Sequence, residues 1–333
     1  MIFWKKIDFV ITWVDSNDED WLLKKNKFSK DRVFTKSQAG DNRYRDYGTL
    51  KYLFRSIEQY ASWVNNIFLV TDGQRPNWLQ TNGKVKVIDH KEIIDKKYLP
   101  TFNSNAIELN VHKIPGLSDH FVLFNDDFIL NRVVEPEDFF VHGRPVDAAI
   151  FSPIFPESDF DRIRLNNVIP INNHFSKKVV EIKNPLKIFN FKYGRKNLNN
   201  IILLPFSRFT GFLDFHIPTA YTKSEFETVW LEEEKLLSQT VSHKFRENTD
   251  VSHWLIRYWR LMTGDFSVQK LPFGKYFYLS QIELWSKELS KGKIKVMCIN
   301  DEESMSEFEY FSKELNRSLQ TKFSKTSIFE RKV

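Results

Sequence analysis

Ile7-Asp8-Phe9-Val10-Ile11-Thr12-Trp13 is a short apolar run that stops in the polar segment Asp15-Ser16-Asn17-Asp18-Glu19-Asp20. Such a run, bounded by a polar cluster, reads as a buried strand followed by a turn. Further on, Leu50, Leu53, Phe54, Ile57 and Tyr60 recur at helical spacing, with Asp46 positioned as an N-cap. Ile67 to Thr71 is a second strand ending in Asp72-Gly73, and Lys84 to Ile88 a third ending in Asp89-His90. Strand, crossover helix, strand predicts an α/β fold with a parallel sheet. Ligands of open α/β sheets bind at the carboxyl ends of the strands, so the turn after Trp13 is a candidate ligand loop.

Residues 104 to 114 read as another helix, and His120 to Phe124 as a core strand that stops at Asn125-Asp126-Asp127. Two carboxylates at the end of a buried strand are costly without a cation, although a surface turn tolerates them. Beyond residue 150 the pattern loosens, with Pro153, Pro156, Pro170 and Pro185 between short apolar runs. Helices are expected again at 223 to 239 and 250 to 263, then a strand, Ile294 to Ile299, ending in Asn300-Asp301. The expected organisation is an α/β nucleotide-sugar-binding core over 1–150, a helical remainder of the catalytic domain over 151–310, and a basic tail over 311–333.

Composition narrows the class. Hydrophobic residues make up 41% of the 333, with 31 Phe and 9 Trp, enough to fill a substantial core and too many for a disordered chain. The lone Cys298 forms no internal disulfide and supplies no cysteine cluster, which suits a reducing cytosol. The run Ile7 to Val14 is broken by Asp8 and lacks a signal-peptide pattern, and no run approaches the roughly 20 apolar residues of a membrane span. A soluble cytoplasmic protein, or one peripheral on a membrane, is expected. A net charge of +6, with Arg317, Lys322, Lys325, Arg331 and Lys332 near the C-terminus, favours anionic partners. No compact nucleic-acid motif accompanies that charge, so nucleic acid is not expected among them.

Several residues carry candidate chemistry, each with a plainer alternative. Asp126 and Asp127 are either an acidic turn or ligands for Mg2+ or Mn2+, which take carboxylate oxygens and neutralise a diphosphate. Asp15 either caps a turn beside Trp13 or faces a nucleotide or metal. Glu108 and His112, four residues apart, share a helical face as an acid/base or metal pair, unless Asn105 and Glu108 only form a capping box. His216 is a general-base candidate or a packed imidazole. Arg246 either clamps a phosphoryl oxygen or pairs with Glu247 or Asp250.

Together these segments resemble the four conserved regions of the Stealth family of sugar-phosphate transferases. Ile7 to Asp15 resembles the first. The second is the longest: Arg43-Tyr44-Arg45-Asp46, Leu50 to Ser56, Trp63-Val64, Ile67 to Gln74, Pro76 to Leu79, Leu99 to Ser104, Ile107-Glu108, His112 to Leu117, and Phe124 to Asp127. Phe209 to Thr222, centred on His216-Ile217-Pro218, resembles the third more loosely, and Cys298 to Asp301 the fourth. The short basic chain is similar to the bacterial members that act on capsule and streptococcal receptor polysaccharides.

The resemblance implies a glycosyltransferase-A-like core with an added helical part, a divalent metal, and a nucleotide-sugar donor such as a UDP-sugar. The expected reaction moves hexose 1-phosphate to a glycan hydroxyl, forming a phosphodiester, with a lipid-linked oligosaccharide as acceptor. By the same resemblance Asp127 and Asp301 are metal ligands with Asp126 in support. Glu108 belongs to the catalytic centre, His216 is the base and Arg246 the phosphate clamp, while Asp15 and Arg43 lie at the nucleotide. Composition and spacing leave two rivals: an ordinary metal-dependent glycosyltransferase releasing a nucleoside diphosphate, and a non-catalytic glycan- or lipid-binding protein.

Overall fold

The structure is a computed structural model that describes residues 5–29, 44, 47–81, 83–301 and 307–331. Its strands run β1 (Ile7–Thr12), β2 (Ile67–Thr71), β3 (Val85–Asp89), β4 (His120–Asn125), β5 (Phe128–Leu130), β6 (Phe140–Val141) and β7 (Arg144–Asp147). Then follow β8 (Thr219–Thr222), β9 (Ser267–Val268), β10 (Gly274–Tyr278) and β11 (Val296–Asn300). The central sheet has the order β3-β2-β1-β4-β8, with the first four strands parallel and β8 antiparallel at the edge. This is the α/β, mostly parallel, glycosyltransferase-A-like architecture expected from the sequence.

Both faces of the sheet are covered, and the alternation of side chains divides them. Phe9, Ile11, Leu69 and Phe124 enter one core, with the helix Leu50–Tyr60 and the C-terminal helix Phe308–Lys322. Val10, Phe68, Phe121 and Leu123 enter the other, against the helix Trp254–Thr263. Strand β8 extends the central sheet from beyond residue 150, and β11 pairs antiparallel with β5. The two expected halves therefore share their sheets.

The sequence reading differs from the structure at several points. The expected helix over 104–114 is a short helix, Ser104–Glu108, and a separate turn, Val111–Lys113. Asn110 ends the run by donating its side-chain amide to the Ala106 carbonyl at 2.8 Å. Asn103, rather than Asn105, caps the start, accepting the Asn105 amide. The helix over 223–239 is broken into Lys223–Glu232 and Glu234–Ser242. Thr49 occupies the N-cap of Leu50–Tyr60 and donates its hydroxyl to the Asp126 carbonyl at 2.9 Å, while Asp46 lies outside the described residues. The basic C-terminal stretch is a packed helix that buries Leu315 and Leu319. Arg55 fastens the segment beyond it, donating to Glu330 from Nε at 2.6 Å and from Nη2 at 2.9 Å. Among the described residues, no helix is long and apolar enough to cross a membrane.

Asp8, which breaks the apolar pattern of β1, is a fully buried acid with a structural task. It accepts the Asn65 side chain at 2.7 Å, the Asn66 amide at 2.9 Å and the Ser118 amide at 2.6 Å. One carboxylate thereby joins the start of β1 to the turns that lead into β2 and β4. Asp8→Ala leaves those donors buried and unmet, and should lower stability by about 3 kcal/mol in urea denaturation. A loss below about 1 kcal/mol would mean that solvent takes the place of the carboxylate.

Candidate active site

The chain runs outward from β1 to β3 and returns to β4 on the other side of β1, so the strand order reverses between β1 and β4. That switch point opens a crevice at the strand ends. A cleft of about 800 Å³ lies there, within the range of nucleotide-sized sites, lined by Thr12 and Trp13 from β1 and by Asn125, Asp126 and Asp127 after β4. Trp21, Tyr44 and Phe102 give one part an aromatic wall, and Arg164, Asp214, His216 and Arg246 enter from the later chain.

The Asn125-Asp126-Asp127 turn is held rigidly. Thr49 grips the Asp126 carbonyl, and the Ile299 amide of β11 donates to the Asp127 carbonyl at 3.1 Å. This brings Asn300 and Asp301, at the end of β11, into the same cleft as Asp126 and Asp127. Asp127 is only 6% exposed. Its Oδ2 accepts the Cys298 thiol at 3.2 Å and lies 3.9 Å from His216 Nε2, while its Oδ1 is buried without a hydrogen-bond partner among the described residues. Burial pushes the Asp127 pKa up, with His216 and Cys298 opposing. Tyr47, unmarked in the sequence reading, lies beside these acids: burial, then the charges of Asp127, Asp301 and Asp126, push its hydroxyl pKa far up.

Asp127, His216 and Cys298 each offer an atom within 4.8 Å of the others. The Cys298 thiol, pushed well above its ordinary pKa by burial and by Asp127, donates to the Asp127 carboxylate. A buried carboxylate oxygen with no donor among the described residues, in a cleft also lined by Asp126 and Asp301, suits a divalent cation with oxygen ligands.

His216 has φ of 47°, a left-handed backbone that costs a non-glycine residue about 1–2 kcal/mol. Its ring stands edge-on to Phe128, Trp254 and Tyr276. The chain just before it is anchored through Asp214, which accepts Arg257 Nη1 at 2.7 Å, Tyr258 Oη at 2.6 Å and Arg164 Nε at 3.2 Å. Arg257 also binds Asp147, which accepts Arg260 and the Ala148 amide as well. Burial alone would raise the Asp147 pKa, but the two guanidinium groups more than offset it and hold it down.

Glu108 lines the cleft, but His112 is not its partner: with the helix ended, His112 stacks on Phe226 at 5.2 Å. The histidine near Glu108 is His253, whose Nε2 is 3.7 Å from Glu108 Oε2 and whose Nδ1 is 2.8 Å from the Tyr221 hydroxyl. Burial raises Glu108 to about 7, against the pull of Arg246, and lowers His253 to about 3. Arg246 donates to Ser104 Oγ. Asp15 turns back on its own loop, accepting the Asn17 amide at 2.9 Å, while its neighbours Trp13 and Val14 face the cleft. Arg43 lies outside the described residues.

This sheet and its switch-point cleft are of the glycosyltransferase-A-like kind. Its sequence matches two Stealth protein profiles, conserved region 1 over residues 5–32 and conserved region 2 over 43–146. It is 45% identical to an exopolysaccharide phosphotransferase of Lactiplantibacillus plantarum, over 98% of this chain and 96% of the relative. It is 43% identical to a capsular polysaccharide phosphotransferase of Streptococcus pneumoniae and 39% identical to a receptor polysaccharide phosphotransferase of Streptococcus gordonii, each over 98% of this chain and 99% of the relative. With that identity along nearly its whole length, the chain belongs to the Stealth family.

Glu108 supplies a pH test. Its folded pKa is raised from 4.5, so the folded chain holds a proton that the unfolded chain has lost, and stability falls as pH rises from about 4.5 through about 7. Glu108→Gln removes that decline. Between pH 5 and pH 8 the stability difference between variant and wild type should move in the variant's favour by on the order of 3 kcal/mol. A difference independent of pH in denaturation curves would mean that Glu108 titrates alike in both states.

Proposed function

We propose that this enzyme transfers hexose 1-phosphate from a nucleotide-sugar, a UDP-sugar in the first instance, to a hydroxyl of a bacterial capsular or other cell-surface glycan. The acceptor in this reading is a lipid-linked oligosaccharide at the inner face of the cell membrane. The observation that carries it is the buried, unsatisfied Asp127 oxygen, in one cleft with Asp126, Asp301 and a nearby imidazole. The names of the relatives, all polysaccharide phosphotransferases, direct that site to sugar-phosphate transfer.

In the proposed complex, residues 1–150 supply the nucleotide end. The aromatic wall of Trp13, Trp21, Tyr44 and Phe102 suits a base, with Asp15 and Arg43 near the ribose and phosphates. Residues 151–310 bring His216 and Arg246 to the acceptor side. Asp127 and Asp301, with Asp126 in support, would hold Mg2+ or Mn2+, which when bound neutralises the diphosphate and the charge on the leaving phosphate. His216 takes the proton of the acceptor hydroxyl. The acceptor oxygen forms a bond to the phosphorus bearing the sugar, the bridging phosphorus–oxygen bond breaks, and the nucleoside monophosphate departs. Arg246 steadies the phosphoryl oxygens and Glu108 completes the centre. Such transfer depends on alignment and charge neutralisation, which accounts for a site of Asp, Arg and His without a covalent nucleophile.

Incubation with UDP-sugar, Mn2+ and acceptor should yield UMP and a phosphodiester-linked sugar; release of UDP would identify ordinary glycosyl transfer instead. EDTA should abolish turnover and Mn2+ restore it. Asp127→Ala should abolish turnover while the chain stays folded, because the side chain adds charge at a cleft rather than apolar packing. His216→Asn tests the base: Asn tolerates the left-handed backbone, so the fold should survive while kcat falls by roughly 10²-fold or more. Retained turnover would take His216 out of the reaction.

A further inference from the structure

Residues 177 to 208 fold as the short helices Lys177–Lys183, Pro185–Ile188 and Asn197–Ile202 and the 3-10 stretch Phe191–Lys196. Each piece turns one side inward: Val180, Ile188 and Leu203 join the second core, and Tyr193 packs with Ala148 and Ile150. Lys177 donates to the Leu203 carbonyl at 2.8 Å, Asn200 to the Ile188 carbonyl at 2.6 Å, and the Tyr193 hydroxyl to the Lys187 carbonyl at 2.6 Å. The segment is a fixed surface module.

A surface helix that buries one side ordinarily shows polar residues on the other. This module instead exposes Ile182, Leu186 and Phe191 by 68%, 80% and 86%, together with Ile202 and Phe206. Of the 18 large hydrophobic side chains exposed among the described residues, 9 fall between 179 and 206, so the apolar surface is concentrated in this one module. Interleaved with them, Lys178, Lys183, Lys192, Arg195, Lys196 and Arg208 are exposed. Residues 177–208 contain 8 Lys and Arg against the single acid Glu181, which is paired with Lys177 at 2.8 Å.

We propose that this face docks onto an anionic phospholipid bilayer, its aliphatic and Phe side chains entering the interfacial layer and its Lys and Arg meeting the lipid phosphates. Concentrated positive charge disfavours a second copy of the same face as the occupant, and nine exposed large apolar side chains within residues 179–206 call for more than counterions. The C-terminal helix is a poorer candidate despite its charge. It is packed into the first core, and Lys322 is engaged with the carbonyls of Asn131 and Leu289.

The helix Asp159–His174 joins the module to the site. Phe160 and Arg164, near its start, line the cleft, and its end leads into Lys177 after two residues. Sixteen residues of helix measure about 24 Å, so the cleft lies within roughly one helix length of the module. This deepens the reading of a lipid-linked acceptor and rests on it for its purpose, though the binding itself needs no turnover.

The full-length chain is tested by flotation with phosphatidylglycerol–cardiolipin vesicles and with phosphatidylcholine vesicles. It should float with the former and bind the latter at least about tenfold more weakly. The double variants Lys183→Glu/Lys196→Glu and Leu186→Ser/Phe191→Ser alter exposed side chains, so they should melt like wild type and yet lose about tenfold or more of vesicle binding. Sugar-phosphate transfer to a water-soluble acceptor should be unchanged in both. Absence of wild-type binding, or binding undiminished in folded variants, overturns the proposal, as does a wild-type dimer that becomes monomeric in the variants. Wild type that floats but transfers no sugar phosphate sinks the functional reading and leaves the docking surface standing.

Discussion

Asp127 places an ionisable carboxyl at the end of a core strand, nearly out of reach of water and with one oxygen unmatched by a donor. Burying a carboxylate in that state costs several kcal/mol unless opposite charge or hydrogen bonds compensate. The surrounding chain supplies only part of that compensation: a thiol donor on Oδ2 and an imidazole at 3.9 Å. In the proposed reading, a bound divalent ion would supply the remainder. The chain also prevents Asp127 from relaxing outward, because the turn that carries it is fixed by Thr49 on one side and by the β11 amide of Ile299 on the other.

A second set of buried charges lies beside the chain that leads to His216, and it differs from the first in that both of its carboxylates bind guanidinium groups. Asp147 and Asp214 face Arg257, Arg260 and Arg164, with Tyr258 adding a donor. Such a network adds little net stability over apolar packing, since desolvation consumes most of the Coulomb gain. Its consequence is geometric. The backbone at His216 is strained by about 1–2 kcal/mol, and a strained residue persists only where its surroundings overdetermine it. Three hydrogen bonds on the carboxylate two residues earlier do that. One carboxylate keeps an oxygen without a donor among the described residues, while the other two are gripped by arginines.

The near-continuous apolar character and length of Ile7 to Trp13, Ile67 to Thr71 and His120 to Phe124 made the parallel sheet legible, because strands covered on both faces tolerate few polar interruptions. Asp8 was the exception, and its reason is non-local: its partners are 57 to 110 residues away. Helix breaks were missed where side chains compete for the backbone, as Asn110 does at Ala106. In the candidate site, the acids after β4 and β11 were readable because each follows a strand. His253 and Tyr47 were not, since a histidine beside a Trp and a tyrosine before a Gly have no signature until the fold brings Glu108 and the acidic turn to them. The reading of His112 went wrong for the same reason that the helix did: spacing of four residues means a shared face only where the helix continues.

The same burial acts oppositely on the two members of the Glu108–His253 pair, and this bears on where protons go. It raises an acid to about 7 and lowers a base to about 3, so near neutral pH the pair avoids a buried ion pair altogether. His253, held neutral by burial and further by the nearby charge of His216, is a poor acceptor for any proton that His216 collects. In the proposed reaction, a proton on His216 is therefore not passed on to His253. Asp127, 3.9 Å from His216, is the buried acid nearest that imidazole, whereas Asp126 and Asp301 are only partly buried in the cleft.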